Sequence, residues 1–261
     1  MLLRMKKELK KYASVERKRT NEWFFKTGKG EYGEGDVFMG VRVPDVRKVA
    51  KQFFGIELNI LEKLLYSKIH EERLLALLIL VTQSKQAVKQ ENKVVQKKIV
   101  NFYLKHQDQV NNWDLVDLST HYILGQAILD GIKKESLLDK MAVSKNLWTR
   151  RKAIISTWII IRQGKISTTL RLSKKLLGDE EDLMHKAVGW MLRESWKLGE
   201  LTKRQDFPQA RLVENKKGQK AQEQVEQFLI KNYNKLPRTT LRYAIERMPE
   251  QKRKRFLKGK F

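Results

Sequence analysis

Apolar residues recur along this chain at the three- and four-residue spacing of a helix face. Leu61, Leu64, Leu65 and Ile69 form one such run. No stretch alternates convincingly at the two-residue period of a half-buried strand. Val37 to Val43 alternates weakly, but it contains Gly40 and runs into Pro44. The pattern predicts helices over 3–23, 44–54, 57–67, 70–83, 87–106, 112–129, 134–142, 146–163, 167–177, 180–198, 219–234 and 237–246. Two stretches interrupt it: a glycine-rich loop at 26–40, and a polar, basic stretch at 203–219 around Pro208. The helical pattern resumes at once after each. The expectation is an all-α chain forming one domain over 1–261.

Helices with a small or β-branched residue amid apolar neighbours recur. Ala76, Val116, Ala153, Ala187 and Ala244 follow one another at steps of 40, 37, 34 and 57 residues. The first three steps fit helix-pair repeats of the HEAT type, at roughly 40–47 residues or slightly shorter. The stretch 203–219 lengthens the last. Such repeats stack into a curved α-solenoid with a concave binding face. A generic helical bundle is the alternative fold.

Charge narrows the partner. Lys and Arg number 55 against 30 Asp and Glu, a formal net charge of +25. That excess points to a phosphate-rich partner, nucleic acid or an anionic membrane; in a curved solenoid, the expectation is a basic concave cleft. The longest aliphatic block, Leu74 to Val81, is too short to span a bilayer. The first residues lack the apolar stretch of a signal peptide. Cysteine is absent, so disulfides and thiolate metal sites are excluded. The four histidines, 70, 106, 121 and 185, show no metal-ligand spacing. No Walker loop or serine-nucleophile motif is present, and Glu31, Glu34 and Asp36 argue against phosphate binding by the glycine-rich loop. The expectation is a cytoplasmic monomer without metal or cofactor.

Three helices carry candidate chemistry. Trp113 and Asp117, four residues apart, share a helix face. Either they line a site, or Trp113 is core and Asp117 pairs with a neighbouring arginine. Asp114 points elsewhere and, like Asn111 and Asn112, suits a helix start. On 146–163, Arg150, Arg151 and Lys152 cluster near the helix start, as a solvated charge run or as a phosphate clamp. Trp148 and Trp158 read as core. On 180–198, Gly189 sits inside a helix, where it costs roughly 1 kcal/mol relative to Ala. A glycine tolerated there permits close approach of a backbone or a ligand. Trp190 follows it, and Arg193 and Glu194 read as ion-pair partners.

Three strings, Asn112-Trp-Asp-Leu-Val-Asp117, Asn146-Leu-Trp-Thr-Arg-Arg-Lys-Ala153 and Lys186-Ala-Val-Gly-Trp-Met-Leu-Arg-Glu194, together resemble the AlkD family of DNA alkylation repair glycosylases. Phe24-Phe-Lys-Thr-Gly, Tyr32 to Pro44 and Pro237 to Glu246 are similar to the family as well. The likeness runs in order over nearly the whole chain; 203–223 departs from the shorter members. It implies a HEAT-like repeat enzyme that hydrolyses the N-glycosidic bond of cationic N7- and N3-alkylated purines in duplex DNA, as a step of base excision repair. Matched motif by motif, it puts the catalytic roles on Trp113, Asp117 and Trp190 and DNA binding on Arg151, with Arg150 and Lys152 beside it. It also implies that the lesion is handled from the backbone side, without a tight base pocket. The rival reading is a non-catalytic α-solenoid that binds nucleic acid through charge alone.

Overall fold

In the computed structural model, residues 1–201 and 215–261 are described, and the greater part of the 203–219 break lies outside them. Every regular element among the described residues is a helix, with one isolated bridge between Val37 and Ile69 as their sole strand-like pairing. The all-α expectation holds, in the layered helix pairs that helical repeats build. Contacts divide the chain into two compact units, Met1–Ala127 and Ile128–Phe261.

The first unit runs through α1 (Leu2–Lys10), α2 (Val15–Phe24), α3 (Val43–Gln52), α4 (Leu58–Leu65), α5 (His70–Lys89), α6 (Lys93–Lys105) and α7 (Trp113–Thr120). A π-helical turn, His121–Gly125, leads into α8 (Gln126–Leu129), within which the unit boundary falls. Helix α5 is its axis. The aliphatic block Leu74 to Val81 is buried on every side, with α3, α4, α6 and α7 packed around it. A helix apolar all round is stable only as such a centre. Met5 and Leu9 of α1 add to this core, and Lys6 pairs with Glu72 at 2.7 Å.

Local chemistry breaks two helices that the apolar period predicted as continuous or misplaced. The predicted 3–23 helix divides at Ser14, whose hydroxyl caps α2 by accepting from the Arg17 amide. Helix α5 runs past 83 to Lys89. Glu91 then adopts a left-handed φ of 53°, and the Asn92 side chain caps α6 by accepting from Val95 N. The 112–129 helix is widened by the π turn.

The second unit contains α9 (Ser136–Met141), α10 (Leu147–Ile155), α11 (Thr157–Ile161), α12 (Ser167–Lys175), α13 (Asp182–Trp196), α14 (Leu198–Leu201), α15 (Asn215–Lys231), α16 (Arg238–Ala244) and α17 (Glu250–Lys258). Helix α13 is its axis, packed on α10, α12, α15 and, most closely, α16. Gly189 explains that approach. A Cβ built there would stand 2.5 Å from Tyr243 Cβ and 2.6 Å from the Thr240 carbonyl oxygen. The glycine serves a neighbouring backbone. The predicted 146–163 helix breaks at Ser156, and α17 was not anticipated. Its only buried side chain is Phe256, so its sequence is almost wholly polar and shows no apolar period. The five repeat-marking residues, Ala76, Val116, Ala153, Ala187 and Ala244, are all buried.

Candidate functional site

The sequence-predicted residues fall in both units: Trp113 and Asp117 in the first, and Arg150, Arg151, Lys152 and Trp190 in the second. Trp113 and Asp117 lie one turn apart on α7, both half-buried. Asn112 is the N-cap, its side-chain oxygen accepting from Trp113 N at 2.8 Å. The Trp113 ring is held by its neighbours. Phe25 stacks on it at 5.0 Å, 10° from parallel, and Phe24 meets it edge-on at 5.7 Å.

Behind Trp113 lies a buried polar network that the sequence did not reveal. His70, the first residue of α5, donates from Nδ1 to Asp36 at 3.0 Å and from Nε2 to Asp114 at 2.8 Å. Arg73 donates to the same Asp36, and Asn112 Nδ2 donates to Asp36 at 2.8 Å. Burial pulls the imidazole pKa down, but Asp114 and Asp36 outweigh it and raise it to about 9. Burial likewise pushes Asp36 up, yet His70, Arg73 and Asn112 hold it below the ordinary carboxylate range. His70 is therefore an imidazolium between two carboxylates. It joins the glycine-rich loop, α5 and the first turn of α7.

The same loop is tied down by its backbone. Both carboxylate oxygens of Glu71 accept amides, those of Met39 at 2.9 Å, Gly40 at 2.8 Å and Val41 at 3.1 Å. Gly40 has φ +79°, and a Cβ there would meet the Ser14 carbonyl oxygen at 2.2 Å. Glu31 and Glu34 accept from the Gly28 and Gly30 amides. The acidic residues of this loop organise its own backbone.

Below Asp117, the buried Tyr103 hydroxyl bonds Thr120 at 2.6 Å and Ser119 at 3.0 Å. Burial foremost, and the Asp117 charge in addition, push that phenol up to about 12. Burial and nearby Lys85 lower His121 to about 4, against a hydrogen bond that the ring donates to the Asp117 backbone carbonyl. A π turn at such a place is a common mark of functional helices.

In the second unit, Asn146 caps α10 by accepting from Thr149 N at 3.0 Å. The three adjacent cations then part ways. Arg150 forks onto Asp179, Nε at 2.6 Å and Nη2 at 3.1 Å, and its Nη1 donates to the carbonyls of Ser144 and Lys145. Arg151 is 5% exposed and donates to the Leu183 carbonyl at the start of α13. Lys152 is 1% exposed. Trp190 is half-buried on α13, one residue beyond the Gly189 crossing. Trp148 is core, as its pattern predicts, whereas Trp158 is half-buried with Arg162 over its ring at 5.3 Å. Arg193 pairs with Glu246, and Glu194 accepts from Lys197 at 3.0 Å, the ion-pair roles expected of them.

Among the described residues, no cluster of His, Asp or Glu is arranged to hold a metal ion, and no helix is long and apolar enough to cross a membrane.

Layered helix pairs, a strong positive charge and a half-buried indole–carboxylate pair define a helical-repeat protein suited to a polyanionic substrate. The chain belongs to the DNA alkylation repair enzyme family, whose model matches residues 5–200. No curated protein matches it. Among solved structures, it is similar to a predicted DNA alkylation repair enzyme from Enterococcus faecalis. The identity is 14%, over 91% of this chain and 97% of that one, with a TM-score of 0.62, a likeness that shows the fold.

Proposed function

We propose that this chain is a monofunctional DNA glycosylase that excises cationic N7- and N3-alkylated purines from duplex DNA, acting as a cytoplasmic monomer without cofactor. The observation that carries the reading is the Trp113–Asp117 pair. An acid stands one turn from an indole on a half-exposed face of α7, in a chain of net charge +25. A polyanion-binding surface gains from a carboxylate only where positive charge develops.

Alkylation makes the purine cationic and a good leaving group. The bond between C1′ and the base nitrogen breaks, the base leaves neutral with the electron pair, and the deoxyribose becomes an oxocarbenium-like cation. The Asp117 carboxylate stabilises that cation and orients a water, whose oxygen bonds to C1′ as its proton is lost. Unit charges 4 Å apart at an effective dielectric near 20 attract by about 4 kcal/mol, which corresponds to about three decades in rate. The gain counts only beyond the attraction already felt by the cationic ground state. Trp113 presents a negative π face to the sugar cation and excludes water, and the family motif assigns Trp190 a role of the same kind. Arg151 is the principal phosphate contact. All three cations reach phosphate only by exchanging the surroundings described above, and it is the family motif that gives Arg151 the principal share.

The test is base release from duplex DNA containing N7-methylguanine, with Asp117→Asn alongside. A loss of roughly three decades in single-turnover rate at retained DNA affinity is expected. Release by the variant at the unaltered rate removes Asp117 from the chemistry. Salt-sensitive binding with no released base establishes the non-catalytic reading instead.

A further inference from the structure

Trp23 and Phe24 end α2 in water, 80% and 54% exposed, although a Trp and a Phe are the side chains most readily buried by a neighbouring core. Single exposed apolar residues are ordinary. These two are adjacent, and one of them is fixed. Phe24 meets Phe25 edge-on at 5.5 Å and Trp113 edge-on at 5.7 Å, while Phe25 and Trp113 stack on each other at 5.0 Å. Phe25 continues inward to Phe38 at 4.9 Å, and Phe38 to His70 at 4.6 Å. The outermost ring of this aromatic chain is thus held from behind and open in front.

The helix that carries it buries none of its own residues. A helix committed to the core would present an apolar stripe, and this one presents Arg17 and Arg19, both exposed, with exposed Lys26 and Lys29 just beyond the aromatic pair. Glu16 stands exposed beside them, Lys18 pairs with Glu22 at 3.8 Å, and Glu31 and Glu34 are turned to glycine amides. A fixed exposed ring beside a second exposed ring, flanked by free-standing cations, fits a nucleobase with its phosphates. The rings stack on the base face and the cations take the backbone.

We propose that Phe24 and Trp23 form a stacking platform for a nucleobase that has lost its stacking partner at the lesion. This rests on the reading that the chain binds damaged duplex DNA, and it adds a subsite on α2 beside Trp113. Because Phe24 is already ordered by Phe25 and Trp113, stacking on it costs little further side-chain entropy. The platform favours DNA with an interrupted stack over intact duplex, whatever the base that was lost.

The experiment uses duplexes carrying a tetrahydrofuran abasic analogue, with 5-iodouracil opposite it, and an intact control. The doubly substituted chain, Trp23→Ser with Phe24→Ser, should bind the intact duplex as the parent does but lose roughly ten-fold on the abasic duplex. Irradiation should attach the iodouracil strand to the peptide containing Trp23 and Phe24. Equal losses on both duplexes, no loss on either, or attachment confined to other peptides overturns the platform. No alkylated base is involved, so the two readings fail separately. A parent chain that releases no base yet cross-links at α2 keeps the platform and loses the glycosylase. Base release without that cross-link does the reverse.

Discussion

His70 Nε2 donates to the Asp114 carboxylate at 2.8 Å, across 44 residues of sequence and out of contact with water. Asp114 is the neighbour of Trp113, so this one bond sets where the first turn of α7 begins. The indole is aimed by an ion pair and a stack of rings, not by its own helix.

Replacing His70 with Phe should therefore cost more than a cavity. A ring still fills the site, but Asp36 and Asp114 are left buried without their shared cation. Breaking a buried ion pair in this way costs about 3–5 kcal/mol. Urea unfolding of the variant checks it; a change below about 1 kcal/mol would mean the network contributes little.

The same network sets a pH dependence. His70 has a folded pKa near 9, above its unfolded value, so its stabilisation is complete below about pH 6.5 and is lost as pH rises through 9. His121 has a folded pKa near 4, so below about pH 6.5 the unfolded chain takes up a proton that the folded chain refuses. Stability should peak near pH 6.5 and fall on both sides, by up to about 1.4 kcal/mol per pH unit on each limb. Asp36, held below its ordinary range, adds to the acid limb at lower pH. Urea midpoints across pH 4–10 test this. His70→Phe should flatten the alkaline limb and His121→Phe the limb between pH 4 and 6.5.

Gly189→Ala should destabilise the second unit by about 1–3 kcal/mol. The added methyl would press on the Thr240 carbonyl oxygen, which is backbone and moves only if α13 and α16 separate. Thermal unfolding measures the loss, and an Ala variant as stable as the parent would show that the crossing is looser than drawn.

Arg150 and Arg151, adjacent in sequence, should respond differently. Arg150→Ala strands the buried Asp179 carboxylate and should lower stability by about 3 kcal/mol with a small effect on DNA affinity. Arg151→Ala should weaken DNA binding and reduce the salt dependence of affinity by about one phosphate contact. Binding isotherms at several salt concentrations, with unfolding midpoints beside them, separate the two. Identical salt slopes for Arg151→Ala and the parent would remove Arg151 from the phosphate contacts.

Much of the architecture was legible because helices advertise themselves at short range. Each helix that the apolar period predicts has a helical counterpart among the described residues, although 3–23 is two helices and the ends predicted at 83 and 87 stand at Lys89 and Lys93. The errors fell where a polar cap outranks that period, as at Ser14 and Asn92, or where only one apolar side chain is buried, as in α17. Gly189 could be read as a close approach from its position alone, but only Thr240 and Tyr243 show that the visitor is another helix. His70 gave no signal, since its two carboxylates lie 34 and 44 residues away.

The sequence by itself determined the all-α fold, the strong positive charge and the pairing of Trp113 with Asp117 on one face. These follow from local periodicity and summed charge, which need no knowledge of what lies across the core. Only the tertiary structure decided which charges are occupied and which rings are held. Arg150, Arg151 and Lys152 are equivalent as a run of cations, yet each points about 100° from the last around α10 and meets a different neighbour. An ion pair or a ring stack is made by whatever the fold brings within a few ångströms, and that is set by packing between distant segments.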